Sequence, residues 1–330
     1  MKNKSEDQYI KEMSQILKEK LKKDYKPGNT KRDAHPKCLG LLKATFVVNP
    51  NLDEKFKIGI FKECNTYPAL IRISNSNPKI KGDNKKDVRG FAIKLLDVKG
   101  KRFINDEKNT QDFLLVSAKT MPLGTVKLFY DAIYYNLKVN PLVYLYKTIS
   151  QGNLNKLKEV AKLRKHHTSP LDISYYSTTP YAFGDKYVKY SIVPTSNYKS
   201  RFPKKLTSNY LTDNMQTHLK NDIATFDFMI QFRKNNMPLD DASVEWDEKV
   251  SPYIKVAEIK IDKQDFINTK RYNFAEKLSY SPAHSLMQHK PIGGLNKARC
   301  IIYKNMSMFR HKRNNQSMFE PSTNDYNSLI

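Results

Sequence analysis

The stretch that decides the fold reads Ala69-Leu70-Ile71-Arg72-Ile73-Ser74-Asn75 and, after a polar linker, Asp87-Val88-Arg89-Gly90-Phe91-Ala92-Ile93-Lys94. Both segments are short and largely apolar, and Asn, Asp, Gly and Pro clusters separate them from their neighbours, which is typical of strands joined by tight connections. Similar segments lie on both sides, so we predict strands at 41–48, 57–62, 69–74, 89–97 and 112–117. Such a meander of antiparallel strands favours a β-barrel.

Helical periodicity frames this strand region. Residues 5–24 carry apolar side chains at helical spacing and end at Lys26-Pro27-Gly28-Asn29. Further along the chain, helical structure is predicted over 124–165 and about 297–311, strands at 187–193, 222–232 and 252–260, and irregular structure over 261–295. The sequence therefore predicts an α+β fold.

We expect three parts along the chain. Residues 1–28 form a helical arm, residues 29–312 form the core, and residues 313–330, which are rich in Asn and Ser, form a disordered tail. The arm is expected to pack on the core. A lysine-rich face on its helix leaves contact with an anionic membrane surface open as the alternative.

The charge balance is strongly basic, with 58 Lys+Arg against 33 Asp+Glu and a net charge of +25. Charge alone supplies only non-specific nucleic-acid binding, and no zinc finger, RNP signature or GXXG clamp accompanies it, so we expect no specific nucleic-acid partner. A basic surface would also attract anionic substrates such as fatty-acid carboxylates.

The three cysteines, Cys38, Cys64 and Cys300, are widely spaced and odd in number, which argues against a disulfide framework. The first residues lack the apolar segment of a secretory signal, and the chain has no run of 18 apolar residues. These features together predict a cytoplasmic protein.

Near the C-terminal end, Arg299-Cys300-Ile301-Ile302-Tyr303 places a guanidinium one helical turn before a phenol. The guanidinium keeps its charge and favours the anionic form of the phenol. Tyrosinate is one of the few protein ligands that hold haem iron. Taken alone, the same spacing is also typical of an ordinary amphipathic turn.

Together with other segments, this motif resembles the catalase family. Catalases carry R-x-x-H before a strand, then R-F-S, D-x-R-G-F-A-x-K and R-x-x-x-Y with a later arginine. Here the corresponding segments are Arg32-Asp33-Ala34-His35, Arg72 to Ser74, Asp87 to Lys94, and Arg299 to Tyr303 followed by Arg310. The likeness spans roughly residues 30–312 and is closest to the short, single-domain catalase-related peroxidases. Those share Thr110-Gln111-Asp112-Phe113 and a stretch like 289–299.

The resemblance implies a catalase-like antiparallel β-barrel core with surrounding helices, and haem b as the cofactor. Tyr303 would be the iron ligand, with Arg299 keeping its phenolate anionic. His35 would be the acid and base that moves the peroxide proton, since a neutral imidazole can both accept and donate one. Ser74 would orient that imidazole.

Three arginines and one aromatic complete the expected cofactor site. Arg32, Arg72 and Arg310 match the family arginines that pair with the haem propionates, where a guanidinium offers a bidentate fork. Phe113 keeps the first phenylalanine of a family pair and is expected to bind the cofactor.

The chain departs from the catalase pattern on the distal side. Lys108 stands where catalases have the catalytic asparagine, and Asn109 follows one position late, so Asn109 is a catalytic candidate only if the loop shifts by one residue. Leu114 and Met121 replace phenylalanines, and Ala34 replaces a valine. We expect a roomier pocket and a weakened catalase cycle.

The leading hypothesis is therefore a haem-dependent peroxidase or catalase-like enzyme that reduces hydrogen peroxide or organic hydroperoxides with an unidentified reductant. A lipid-hydroperoxide isomerase or lyase, like the coral allene oxide synthases, is the second hypothesis. A non-enzymatic haem-binding scaffold is the third. A homo-oligomer is left open.

Overall fold

A computed structural model describes residues 4–329. The nine strands in this range are β1 Cys38–Val48, β2 Thr66–Asn75, β3 Arg89–Leu95, β4 Gln111–Val116, β5 Tyr175–Tyr176, β6 Tyr181–Phe183, β7 Lys186–Pro194, β8 Ala224–Phe232 and β9 Ile254–Ile261. The α-helices are α1 Glu6–Asp24, α2 Val126–Tyr134, α3 Pro141–Ser150, α4 Leu154–Leu163, α5 Tyr210–Asn221, α6 Thr269–Lys277, α7 Gly294–Arg313 and α8 Thr323–Ser328. A π-helical turn, Tyr135–Val139, continues α2.

The strands form one closed antiparallel barrel. Their order is β5-β4-β3-β2-β1-β9-β8-β7, and β5 also pairs with β7, which closes a ring of eight strands. The remaining strand, β6, pairs with β7 as well. Closure leaves no long free edge in the ring, and this removes the usual route to edge-to-edge aggregation.

The barrel interior is a dense apolar core because the side chains alternate along each strand. Phe46, Phe113 and Phe228 meet there in edge and stacked contacts, with ring centroids 4.8–6.2 Å apart. All three are buried. The interior is therefore filled by side chains, and any ligand site must lie on an outer face.

Helices α1 and α7 cover one outer face. The apolar side of α1, including Ile10, Met13 and Leu21, packs with Ala298 and Ile302 of α7. A capping box at Ser5 and Gln8 starts α1 and satisfies its first amides. The arm predicted over 1–28 is thus packed over its described part, and residues 1–3 lie outside the described range.

Helix α7 extends from Gly294 to Arg313, somewhat beyond the predicted 297–311. Its last turn carries Arg310, His311, Lys312 and Arg313, and cations at that end are favoured by the helix dipole. In the described part of the chain, no helix has both the length and the apolar character needed to cross a membrane.

The predicted strand at 57–62 is wrong. Two short 3-10 turns, Glu54–Phe56 and Gly59–Phe61, occupy this region. Gly59 has a positive φ of 57°, and the His289 ring lies so close that a side chain at this position would collide with it. The Ile60 amide donates a hydrogen bond of 3.2 Å to His289 Nε2. A distant contact therefore replaces the local preference for a strand.

The disorder predicted over 313–330 is also contradicted, over the residues described. Helix α8 lies against β2, and Leu329 is buried with Leu41 and Leu70. The Tyr326 hydroxyl donates to the Ala44 carbonyl at 3.1 Å. A few apolar side chains in a polar segment were enough to dock it, because the barrel supplies the complementary surface. Residue 330 lies outside the described range.

Candidate functional site

Two rows of outward-facing side chains on neighbouring strands form the floor of a cavity. In the first row Arg72 pairs in register with Ala92, which pairs with Leu114. In the second row Ser74 pairs with Gly90, and Gly90 with Val116. All of these residues line the cavity. Strand alternation therefore brings them to one face, opposite the filled barrel interior.

Helix α7 forms the opposite wall. Arg299, Tyr303, Met306, Ser307 and Arg310 line the cavity, and their spacing places them along one helix face. The Arg299 guanidinium lies 5.5 Å from the centre of the Tyr303 ring. The predicted contact between these two side chains is thus present in the structure.

Arg299 is held in place by a small polar network. Its guanidinium donates to Thr179 Oγ1 at 2.8 Å and to Asn296 Oδ1 at 3.0 Å. Burial disfavours the charge of Arg299, but the phenols of Tyr303 and Tyr181 outweigh burial and raise its pKa. The side chain therefore remains a cation beside Tyr303.

The segment before β1 brings His35 over the strand floor. His35 has a φ of 56°, which is uncommon outside glycine. Its Nδ1 lies 3.0 Å from Ser74 Oγ, and its carbonyl accepts a hydrogen bond of 2.9 Å from Arg72. A Cβ added to Gly90 would lie 2.6 Å from His35 Nδ1 and 2.8 Å from Ser74 Oγ. The glycine thus leaves the space in which the imidazole and hydroxyl meet.

His35 is neutral near pH 7. Burial, followed by the positive charge of Arg72, lowers its pKa to about 4. A neutral imidazole bonded to Ser74 through Nδ1 has Nε2 available for a second partner.

Three arginines gather at one end of the cavity. Arg32 donates to Glu276 Oε1 at 2.9 Å and to the Ala275 and Leu278 carbonyls. Arg310 is buried and donates to the carbonyls of Glu276 and Leu278. Arg72 is buried, and its Nε has no hydrogen-bond partner. We call Arg32, Arg72 and Arg310 the arginine cluster.

The arginine cluster has an excess of positive charge. Glu276 is the carboxylate paired with it, and it forms a salt bridge of 2.9 Å with Arg32. Burial lowers the pKa of Arg310 to about 9, with Arg32 adding repulsion. Burial also raises the pKa of the neighbouring Asp33, so its carboxyl ionises less readily and offsets little of the positive charge of the cluster. Three guanidiniums facing one paired carboxylate leave about two positive charges for an anionic ligand.

Apolar side chains line much of the remaining cavity. Ala34, Leu114 and Met121, the three predicted pocket substitutions, all lie at its surface, together with Met306. The enclosed cavity volume is about 180 Å³, and the whole opening, counting its part open to solvent, is about 1000 Å³.

Two predicted site residues are not at the cavity. Asn109 is exposed in the loop before β4, where its backbone N–H donates to Glu320 Oε1 at 2.6 Å. The backbone N–H of Lys108 donates to the same oxygen at 2.8 Å, and Lys108 is also exposed. This corrects the expected position of Asn109, because a carboxylate from the C-terminal segment holds the loop on the outside.

Phe113 is the second correction. Its ring packs inside the barrel against Tyr190 and Phe228, at centroid distances of 4.9 and 4.8 Å. Strand alternation sends Leu114 outward to the cavity instead. Phe113 therefore supports the floor from the opposite side.

The sequence reading missed Asp33, Thr178, Ser279 and Tyr280, which also line the cavity. Asp33 lies within the quoted segment next to His35, and this proximity was the available signal. Tyr280 follows α6, in a region predicted as irregular, and no local pattern distinguishes it. Burial raises its pKa well above the usual value, so its hydroxyl stays protonated.

A second buried polar group lies near β4. Lys94 is fully buried and forms salt bridges with Glu107 and with Asp112, the latter at 2.7 Å. His284 Nδ1 lies 2.9 Å from Asp112 Oδ2. Glu107, Asp112 and His284 are close enough together to hold a metal ion. The Lys94 ammonium already lies among them and offsets the negative charge of the carboxylates. We call these four residues the Lys94 network and treat it as structural.

Comparisons with known proteins show the fold. No protein-family model and no curated protein matches the chain. A fungal catalase matches with a TM-score of 0.69 and 16% identity over 91% of this chain and 62% of that chain. A bacterial catalase matches at 0.66 and 13% over 92% and 62%. Catalase A from Saccharomyces cerevisiae matches at 0.68 and 17% over 92% and 67%.

The closed antiparallel barrel with its helices is therefore a catalase-like fold. The chain spans 62% of the length of the fungal and bacterial catalases it matches. The expected closer kinship with short, single-domain peroxidases is not confirmed by these matches.

Proposed function

We propose that the protein binds haem b in this cavity and acts as a peroxidase on hydrogen peroxide or organic hydroperoxides. The observation that carries the proposal is the arginine cluster: two buried positive charges lack a carboxylate, and haem b carries two propionates. The catalase-like fold agrees with this assignment.

The residues present fit haem. Tyr303 would ligate the iron and Arg299 would keep its phenolate anionic, while Arg32, Arg72 and Arg310 would hold the propionates. The apolar side chains at the cavity would contact the macrocycle. When bound, haem supplies an iron that a peroxide can oxidise and a reductant can restore.

His35 would move the proton that peroxide cleavage requires. The neutral Nε2 accepts the proton from one peroxide oxygen and returns it to the other, which departs as water or alcohol. The contact between Ser74 Oγ and Nδ1 would hold the imidazole in one tautomer and leave Nε2 for the peroxide. The low pKa of His35 keeps the base form populated at neutral pH.

Organic hydroperoxides are the substrates that the pocket favours. Asn109 is exposed and away from the cavity, so the side chain that helps catalases hold a second peroxide is missing. Leu114, Met121 and Ala34 leave a softer apolar surface. We therefore expect turnover of a fatty-acid hydroperoxide to exceed oxygen evolution from hydrogen peroxide, at equal haem content.

The same observation favours a second candidate, a lipid-hydroperoxide isomerase or lyase, which needs no reductant. Incubating the haem-loaded protein with a fatty-acid hydroperoxide separates the two. A peroxidase yields the alcohol only when a reducing dye is present, whereas an isomerase or lyase yields rearranged products without one. Vigorous oxygen evolution from hydrogen peroxide with little organic-hydroperoxide turnover would contradict both candidates, because each is expected to favour organic hydroperoxides.

The haem assignment is tested by absorption spectroscopy on Tyr303→Phe. The parent protein, purified with added haem, should show a high-spin ferric spectrum of a tyrosinate complex, and the variant should lose that spectrum or most of the haem. Tyr187→Phe is the matched control, since Tyr187 is a partly buried tyrosine on β7 away from the cavity. An unchanged spectrum in Tyr303→Phe would exclude this ligand, and a parent without any Soret band would exclude haem.

A further inference from the structure

The chain leaves the barrel after β4 and returns at β5, and two helices of this insertion are hardly packed. In α3 (Pro141–Ser150) Thr148 alone is buried, and in α4 (Leu154–Leu163) no residue is buried. Helices of a globular protein normally gain most of their stability by burying an apolar face. We call residues 135–165 the hairpin.

The hairpin is nevertheless rich in large apolar side chains. Leu142 is 72% exposed and Tyr146 74% exposed. Further exposed members are Leu137, Val139, Val143, Leu145, Ile149 and Leu154. The other exposed large apolar residues of the described chain are spread over many elements, from Ile80 to Met318. Exposed large apolar side chains concentrated in one segment in this way mark an interaction site.

The charge of the hairpin identifies the kind of partner. Its only acidic residue is Glu159, whereas its basic residues are Lys138, Lys147, Lys156, Lys158, Lys162, Arg164 and Lys165. Two such surfaces facing one another would repel, so a second copy of this chain is disfavoured. An apolar face with a basic border is instead suited to an anionic lipid surface.

We propose that the hairpin docks the protein on an anionic membrane surface, with Leu142 and Tyr146 entering the headgroup boundary and the lysines contacting acidic lipids. The sequence alone suggested α1 for such a contact, but the apolar side of α1 is buried against α2 and α7. The available apolar surface is therefore on the hairpin.

The hairpin lies between two segments that reach the cavity, although no residue of the hairpin itself lines it. Met121, just before the insertion, and Ser177 and Thr178, just after it, line the cavity wall. Docking would bring the cavity close to acyl chains, which suits hydroperoxides formed in a membrane. This last step rests on the proposed function, whereas the docking itself does not.

Vesicle co-sedimentation of the full-length protein tests the docking. The probes are phosphatidylcholine vesicles with and without 50% phosphatidylglycerol, a composition chosen for the assay. The parent should pellet with the acidic vesicles and stay soluble with the neutral ones. Leu142→Glu/Tyr146→Glu should weaken binding to acidic vesicles at least tenfold. Lys158→Gln/Lys162→Gln should weaken it by roughly 25-fold, from about 1 kcal/mol for each lysine near an acidic surface.

The matched control is Ile80→Glu/Val250→Glu, because both residues are similarly exposed but lie outside the hairpin. It adds the same charge and should bind acidic vesicles like the parent within about twofold. Equal loss in the control and hairpin variants would overturn the proposal. A parent protein that does not bind acidic vesicles would also overturn it. So would a parent protein that forms a dimer, if Leu142→Glu/Tyr146→Glu dissociates that dimer. Vesicle binding is measured without haem or peroxide, so failure of the proposed function leaves this test intact.

Discussion

Two buried charged groups lie against the same outer face of strands β2 to β4, and they are built differently. In the Lys94 network the ammonium, two carboxylates and the imidazole satisfy one another. In the arginine cluster Arg32 pairs with the Glu276 carboxylate, whereas Arg72 and Arg310 donate to backbone carbonyls. Removing one member of a hydrogen-bonded buried network destabilises the fold, whereas buried cations that line a cavity without carboxylate partners indicate a missing anionic ligand.

The largest expected effect concerns the Lys94 network. Lys94→Met should lower the free energy of unfolding by about 3–5 kcal/mol, because it leaves Glu107 and Asp112 buried without their cation. Urea unfolding of the haem-free protein measures this loss. Lys119→Met is the matched control: Lys119 also contacts two carboxylates, but at the surface, where such pairs contribute about 0–1 kcal/mol. Similar losses in both variants would remove the distinction between the network and a surface pair.

The arginine cluster should behave in the opposite way. Arg72→Met and Arg310→Met should each weaken haem binding by roughly 2–5 kcal/mol, since one propionate loses its charged partner. In the haem-free protein they should destabilise less than Lys94→Met, because they also relieve repulsion within the cluster. Haem titration followed at the Soret band measures the affinity.

Arg233→Met serves as the control for the cluster, since Arg233 donates to backbone carbonyls far from the cavity. Its haem affinity should match the parent. If both cluster variants also retain parental affinity, the arginines have no role in holding the cofactor.

Two further predictions concern the catalytic side of the cavity. His35→Ala should keep haem but slow peroxide cleavage by about 10²–10⁴-fold, the usual contribution of a positioned acid or base. In free energy this is about 3–5 kcal/mol, comparable to the energies above. Stopped-flow absorption at equal haem gives the rate. A parental rate in this variant would assign the proton transfer to another group.

Gly90→Ala should have a smaller effect. The new methyl would meet His35 Nδ1 and Ser74 Oγ at distances below 3 Å, so the two side chains must separate. Overpacking of this kind costs about 1–3 kcal/mol, and the peroxide rate should fall while haem binding persists. A variant with parental stability and rate would show that the imidazole moves aside freely.

The remaining expected effect is on the pH dependence of stability. Because burial lowers the pKa of His35 to about 4, below its unfolded value of about 6.5, the native state binds fewer protons there. The contribution of His35 to stability is therefore complete above pH 6.5 and falls as the pH drops to about 4. Unfolding of the parent and of His35→Ala between pH 3.5 and 8 isolates this contribution. A difference that does not change with pH would show that His35 is solvated.

Sequence reasoning recovered most of the barrel because strand periodicity is local. Strands β1 to β4, β7, β8 and β9 lie close to the predicted ranges, while the two-residue β5 and the three-residue β6 are too short to leave a pattern. The predicted strand at 57–62 failed because His289, far along the chain, fixes Gly59 in a turn. The docking of α8 likewise depends on a surface that exists only in the folded barrel.

The sequence by itself determined the residue types at the candidate site: the spacing of Arg299, Tyr303 and Arg310 on one helix, and the order of the other motifs. Only the tertiary structure decided how each motif is used. Lys94, Asp112 and Phe113 belong to the same quoted motifs, yet they form a closed ion network and an interior ring contact. Asn109 lies outside because Glu320 holds its loop. The physical reason is that chemistry at a site depends on which charges remain without partners, and partners distant in sequence meet only in the folded chain.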